Sequence, residues 1–489
     1  MSAQYGFFID SARCTGCKTC ELACKDYKNL TPDVSFRRIY EYAGGDWQED
    51  NGVWQQNVFA YYLSIACNHC EDPACTKVCP SGAMHKRDDG FVVVNEEVCI
   101  GCRYCHMACP YGAPQYNAAK GHMTKCDGCY DRVAEGKKPI CVESCPLRAL
   151  DFGPIEELRE KHGQLAARCR PRTSPGRVSR SNRTPTRVRA VIPPAIWPIR
   201  RRCKMGNGWH EWPLVLFTVL GQSVAGAIIV SGLGWLSLNN NSEARQRLVR
   251  CMFFIWLVMG IGFLASIIHL GSPLRAFNSL TRVGASALSN EIASGALFFA
   301  VGGVWWLLTF LGKMPAILAK AWLLLTMLLG CLFVLEMTLV YQINTVPTWY
   351  NAYTTAAFFL TMVLCGPLFA ALLLRVANVP FNGTVFASMS VLALLASLAV
   401  VILQNSELAE IRSSVQQASA LLPNYGWLQI LRLAFLTLGL GCWICPLARK
   451  KNPRIASLLL GLILVLLGEF IGRGLFYGLH MTVGTAIAG

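Results

Sequence analysis

The chain has 489 residues, 53% of them hydrophobic, and a formal net charge of +16. That charge is uneven: residues 1–167 carry 18 Lys and Arg against 22 Asp and Glu, residues 168–204 carry 12 basic residues and no acid, and residues 205–489 carry 15 basic against 7 acidic. Nucleic-acid binding by the whole chain is therefore not implied, and three compositions imply three parts.

The first part holds sixteen of the 23 cysteines, in four groups of four. They read Cys14-x2-Cys17-x2-Cys20-x3-Cys24, Cys67-x2-Cys70-x4-Cys75-x3-Cys79, Cys99-x2-Cys102-x2-Cys105-x3-Cys109 and Cys126-x2-Cys129-x11-Cys141-x3-Cys145. A C-x2-C-x2-C-x3-C run ending in Pro is the bacterial spacing for [4Fe–4S] clusters, with the fourth Cys ligating a different cluster. Four groups therefore predict four [4Fe–4S] clusters. Zinc is the rival ligand, because C-x2-C pairs also build four-thiolate zinc sites, but those come as two separated pairs. Disulfide scaffolds do not repeat metal spacing four times. Short strand-like runs at 53–66 and 91–95 point to an α+β domain. The opening MSAQYGFFID has no basic region, apolar core or twin arginine, so this part is not expected to direct its own export.

The second part, residues 168–204, has eleven Arg among Pro, Ser and Thr, and no helical or strand period. It reads as a disordered basic linker, and such a segment is attracted to anionic lipid. Its composition is also that of a GC-rich gene translated out of frame, and Met205 then begins what looks like a fresh protein start. The expectation is a frameshift product joining two adjacent genes.

The third part is an all-α polytopic membrane domain. Eight runs of spanning length, about 20 residues, lie near 213–236, 251–270, 290–311, 317–340, 354–375, 385–404, 428–447 and 456–476. Loops after the odd-numbered spans hold Arg245, Arg247, Arg250, Lys313, Lys320, Arg375, Arg449, Lys450, Lys451 and Arg454, against Arg275, Arg282 and Arg412 after the even-numbered ones. The positive-inside rule makes the richer side cytoplasmic. Both ends of this part, and the cysteine-rich domain before it, then face the periplasm of a Gram-negative inner membrane.

With that orientation His269, Glu291, Glu336, Glu469 and Arg473 fall towards the outer side. Ionisable residues at such depth are functional candidates, and quinol oxidation needs a hydrogen-bond partner and proton acceptors. A structural role competes at each position. Glu291, after Ser289 and Asn290, suits a helix N-terminus, His269 suits an interfacial side chain, and Glu469 with Arg473 suits an i,i+4 ion pair. Cys442-x2-Cys445 reads as a pair of small hydrophobes. His210 and His480 lie at or beyond span ends, so no bis-histidine haem is expected.

These motifs resemble bacterial dimethyl sulfoxide reductase. CNHCEDPACTKVCPSGAMHK and CIGCRYCHMACPYGAPQYN resemble its iron–sulfur subunit, and MGNGWHEWPLVLFT, HLGSPLRAFNSL and RVGASALSNEIASG its membrane anchor. The resemblance implies a double ferredoxin-like domain, an eight-helix anchor and a separate molybdopterin catalytic subunit in anaerobic respiration. It implies that Cys14, Cys17 and Cys20 share a cluster with Cys145, and that Cys126, Cys129 and Cys141 share one with Cys24. Likewise Cys67, Cys70 and Cys75 go with Cys109, and Cys99, Cys102 and Cys105 with Cys79. It carries the menaquinol site to His269, with Glu291 beside it. A polysulfide- or nitrite-linked quinone oxidoreductase shares the same plan, and a zinc-dependent lipid- or nucleic-acid-binding protein is the remaining alternative. The catalytic partner sets the terminal acceptor.

Overall fold

A computed structural model describes residues 4–50, 52–56, 58–162, 209–238, 243–411, 417–422 and 424–482. The basic segment 168–204, its proposed frameshift and Met205 lie outside the described residues. The chain divides into two compact units between Lys204 and Met205.

The first unit is a small α+β ferredoxin-like fold. Its elements are β1 (Tyr5–Ile9), α1 (Thr19–Tyr27), β2 (Arg38–Gly44), β3 (Trp47–Asp50), β4 (Val53–Gln56), β5 (Phe59–Ile65), α2 (Ala74–Val78), β6 (Met84–Lys86), β7 (Val92–Val94), α3 (Tyr104–Ala108), β8 (Gln115–Asn117), β9 (His122–Thr124), α4 (Tyr130–Ala134), α5 (Ile140–Glu143), β10 (Leu150–Pro154) and α6 (Ile155–His162). The strand-like run 53–66 becomes β4 and β5, and the run 91–95 becomes β7. Strand β1 pairs antiparallel with β10, Tyr5 opposite Pro154, so the unit closes end on end. Hairpins β6–β7 and β8–β9 follow the second and third cysteine groups.

The cores of this unit are built around sulfur. Cys20, Cys141 and Cys145 pack with Phe91, Leu150 and Phe152. Cys75, Cys79, Cys99 and Cys105 pack with Met84, Val92 and Met123. Cys67, Cys109 and Cys126 pack with Ala66 and Ala113. Small apolar cores of this kind usually need a staple such as a metal site.

The second unit is all helical. Its spans are α7 (Trp212–Ser237), α8 (Glu243–His269), α9 (Ala287–Phe310), α10 (Ala316–Tyr341), α11 (Ala352–Val376), α12 (Gly383–Glu410), α13 (Tyr425–Ala448) and α14 (Ile455–Gly478). All eight are long and apolar enough to cross a membrane. Helix α8 starts well before its apolar run, because Glu243–Arg250 adds two polar turns that hydropathy does not see. Helix α7 is the most buried span. It meets α11 backbone to backbone at Gly226 and Gly366, where an added Cβ would lie 2.3 Å from the Met362 carbonyl oxygen. Gly439 of α13 and Gly461 of α14 make a second such approach. Small residues are what let helices pack without a hydrophobic drive between them. At one end of the bundle Arg247 donates to the Ala377 carbonyl at 3.1 Å, and Arg245 lies 3.4 Å over the Trp235 ring.

Candidate cluster-binding and quinol sites

Each C-x2-C turn is bent the same way. The residue before the second Cys has positive φ in all four groups: Gly16 at 72°, His69 at 45°, Gly101 at 70° and Gly128 at 74°. Glycine suits three of these positions because it has no Cβ. At Gly128 a Cβ would also collide with Phe91 at 2.2 Å. His69 bears the strain as a side-chain residue. Its Nδ1 accepts the Val92 amide at 3.0 Å and its carbonyl accepts from Gln4 at 2.6 Å. Burial holds its imidazole well below the usual range, hence neutral.

The turns bring distant thiols together. Cys14, Cys20 and Cys145 share one core, with Cys17 at its surface 3.4 Å from the Thr19 hydroxyl. Cys24 lies in the electrostatic field of Cys141 and Cys129, as Cys126 does in that of Cys24. Cys75 lies in that of Cys67, Cys109 and Cys70, and Cys105 in that of Cys102, Cys79 and Cys99. Cys79, Cys99, Cys102 and Cys105 line one cavity with Pro80, Ile100 and Met123. Thiols ringing a cavity suit a polynuclear group. Among the described residues no three His, Cys, Asp or Glu side chains could hold a single metal ion. Burial pushes Cys24 and Cys102 up to about 12 and Cys129 to about 11. A thiolate there needs positive charge beside it, which iron supplies, so the residues fit the cluster.

In the helical unit His269 ends α8, and its Nδ1 lies 3.4 Å from Oε2 of Glu211. Glu211 stands in the turn before α7 and was not singled out by the sequence. The only available signal was a carboxylate at the edge of the first span. Trp209, two residues earlier, would meet a Cβ on Gly474 of α14 at 3.3 Å, so this turn lies against the end of that helix. Glu291 is not a capping residue: Ser286 precedes α9, and Glu291 is buried one turn in. Glu291 lies within electrostatic reach of Glu336, of Tyr341 of α10 and of Tyr477 of α14. The two tyrosine hydroxyls are hydrogen-bonded at 2.5 Å. His269 and Glu291 thus sit at facing ends of successive helices, joined by a loop containing the 3-10 turn Pro273–Leu280. His480 follows α14, its ring 4.8 Å from that of Trp349, and His210 is exposed.

The expected pair of Glu469 with Arg473 does not form among the described residues. Glu469 instead pairs with Arg432 of α13 at 3.1 Å and accepts from Thr361 of α11. Arg473 donates to Gln222 of α7 at 2.9 Å and covers the Phe358 ring at 3.6 Å. Neighbouring helices offer each group a partner of its own, which a single-helix spacing rule cannot see.

Known proteins agree with this division. Residues 205–479 match the family "DMSO reductase anchor subunit (DmsC)", and residues 58–155 match the "4Fe-4S dicluster domain". Neither match covers 168–204. Over 285 residues the sequence is 66% identical to the anaerobic dimethyl sulfoxide reductase protein YnfH of Escherichia coli (strain K12), an overlap of 58% of this chain and 100% of that one. Over 167 residues it is 89% identical to the probable anaerobic dimethyl sulfoxide reductase protein YnfG of the same strain, an overlap of 34% of this chain and 82% of that one. The two relatives are separate proteins, and each matches a different unit of this chain. The chain therefore belongs to the DMSO reductase anchor subunit family, carries an iron–sulfur 4Fe-4S ferredoxin domain joined to that anchor, and is the electron-transfer and membrane-anchor part of a DMSO reductase-type complex.

Proposed function

We propose that this chain takes electrons from menaquinol at the periplasmic end of its helical bundle and hands them through four [4Fe–4S] clusters to a separate molybdopterin subunit that reduces dimethyl sulfoxide or related oxides. The observation that carries this reading is the order of the sixteen cysteines. Electrostatic interactions between single thiols support a line of four ligand sets. Cys20 of the first set lies in the field of Cys141 of the second. Cys126 of the second lies in that of Cys67 of the third. Cys105 of the fourth lies in that of Cys75 of the third. The first set is Cys14, Cys17, Cys20 and Cys145, and the second is Cys24, Cys126, Cys129 and Cys141. The third is Cys67, Cys70, Cys75 and Cys109, and the fourth is Cys79, Cys99, Cys102 and Cys105. Clusters bound there supply one-electron steps with no bond made or broken.

At the quinol end the chain's own groups handle protons. With Nδ1–H turned to the Glu211 carboxylate, Nε2 of His269 is the basic nitrogen, and the carboxylate stabilises the imidazolium that proton uptake creates. The buried carboxylate of Glu291 is the second acceptor, because a quinol loses two protons with its two electrons. The richer basic charge of the opposite end supports an inner-membrane orientation with the His269 end outward. Lipid surrounds the bundle, and nucleic acid has no part. The test is iron and spin counting on the purified chain: about sixteen irons in four paramagnetic centres are expected, and zinc in their place would end the reading.

A further inference from the structure

Two buried cations in the cysteine-rich unit, Arg37 and Lys125, lie outside the proposed ligand sets. Arg37, before β2, is 2% exposed. Its Nη1 donates to the Ser64 carbonyl at 3.2 Å and to the Ser64 hydroxyl at 3.0 Å. That hydroxyl lies 3.4 Å from Sγ of Cys20. The guanidinium also sits 4.7 Å over the Phe7 ring. The charges that act on it are the sulfurs of Cys141, Cys126 and Cys20. Lys125 is 5% exposed. Its Nζ donates to the carbonyls of Val92 and of Cys126, the latter at 2.6 Å. Its charge acts on Cys126, Cys75 and Cys109.

Among the described residues no carboxylate pairs with either cation. A buried charge without a counter-ion is strongly unfavourable. Among the described residues the opposite charge that acts on Arg37 is that of cysteine sulfurs, and Lys125 in turn acts on the sulfurs of Cys126, Cys75 and Cys109. Arg37 reaches the first set through the Ser64 hydroxyl and acts electrostatically on the second, and Lys125 is bonded to the backbone of the second set at Cys126 and acts electrostatically on the third. The two cations thus occupy the first two junctions of the line, and neither acts on Cys102 or Cys105 of the fourth set.

We infer that Arg37 and Lys125 are fixed counter-charges that raise the reduction potentials of the clusters at these two junctions. The inference rests on the ligand sets proposed above. Adding one electron to a cluster makes its site more negative by one charge and breaks no bond. A positive charge held nearby in a low-dielectric core stabilises the reduced form more than the oxidised form. Arg37 is suited to this because its fork is anchored on Ser64 and its charge is permanent. Both act through the cysteines, as positioning residues.

The experiment is a potentiometric titration of the purified full chain followed by electron paramagnetic resonance, with iron measured on every sample. Arg37→Gln should lower the midpoints of two centres, Lys125→Gln should lower those of two with one in common, and the centre altered by Cys102→Ser should move in neither. Arg37→Lys should stay near the parent. Full iron with unmoved midpoints in Arg37→Gln and Lys125→Gln would overturn the inference. If Arg37→Gln loses iron, Arg37→Lys decides: iron retained at parent midpoints upholds the role of charge, and iron lost or midpoints moved refutes it. Failure of the parent chain to show four centres would instead refute the ligand sets.

Discussion

Arg432 of α13 and Glu469 of α14 form a 3.1 Å ion pair inside the helical bundle, with side chains 10% and 3% exposed. Thr361 completes the carboxylate's partners, and Arg473 is held apart on Gln222. Four helices therefore meet at one polar knot.

Removing one member of such a pair strands the other in an apolar setting. Glu469→Gln should cost about 3–5 kcal/mol of bundle stability. Thermal unfolding in detergent reads this. An unchanged midpoint would mean that the carboxylate is neutral in the bundle and that the pair contributes nothing.

Cys102→Ser should remove or convert one cluster of four, a loss of up to about four irons. Electron flow to the catalytic partner should stop if the proposed sets work in series. Iron analysis and spin counting check the first part. Continued reduction of the partner by quinol would show that the fourth set lies off the path.

Reporter fusions at Lys313 and Lys451 should report cytoplasm, and fusions at Arg275 and Asn344 should report periplasm. The opposite pattern would invert the proposed orientation and carry the quinol site inward.

How much of this was legible in the sequence depends on the range of each interaction. The eight spans were legible because each is a long apolar run, and the cysteine groups because ligand spacing is local. Turn geometry at Gly16, Gly101 and Gly128 was written in the motif, but His69 in the same backbone position was not, because its support comes from Val92 and Gln4. Glu211 beside His269, Arg432 beside Glu469 and Arg37 beside Cys141 were all invisible. Each joins residues far apart in the chain, and only packing brings them together. The i,i+4 spacing of Glu469 and Arg473 misled for the same reason.

Asp151 at the end of the first unit should make that unit sensitive to acid. Burial alone would raise its pKa, but hydrogen bonds from Lys161, Lys138 and His162 outweigh this and hold it well below the usual carboxylate range. A depressed carboxylate stabilises the fold above its unfolded value, about pH 4, and loses that contribution as pH falls through the folded value. Asp151→Asn should cost roughly 1–2 kcal/mol at neutral pH, since both lysines are largely exposed, and should flatten the acid limb. Denaturant titrations at several pH values would show it. Parallel acid limbs in parent and variant would remove Asp151 from the account.

The most direct measurement is quinol-driven reduction of the clusters in the full chain. Parent protein and His269→Arg would each be mixed with menaquinol, and separately with a soluble chemical reductant, while the centres are followed by electron paramagnetic resonance. The arginine keeps a polar donor but has no neutral form to accept a proton. In the parent both reductants should reduce the centres. In His269→Arg the soluble reductant should still do so, and menaquinol should fail. Reduction by menaquinol at the parent rate in His269→Arg would contradict the proposed site, and no reduction by menaquinol in the parent would contradict quinol oxidation by this chain.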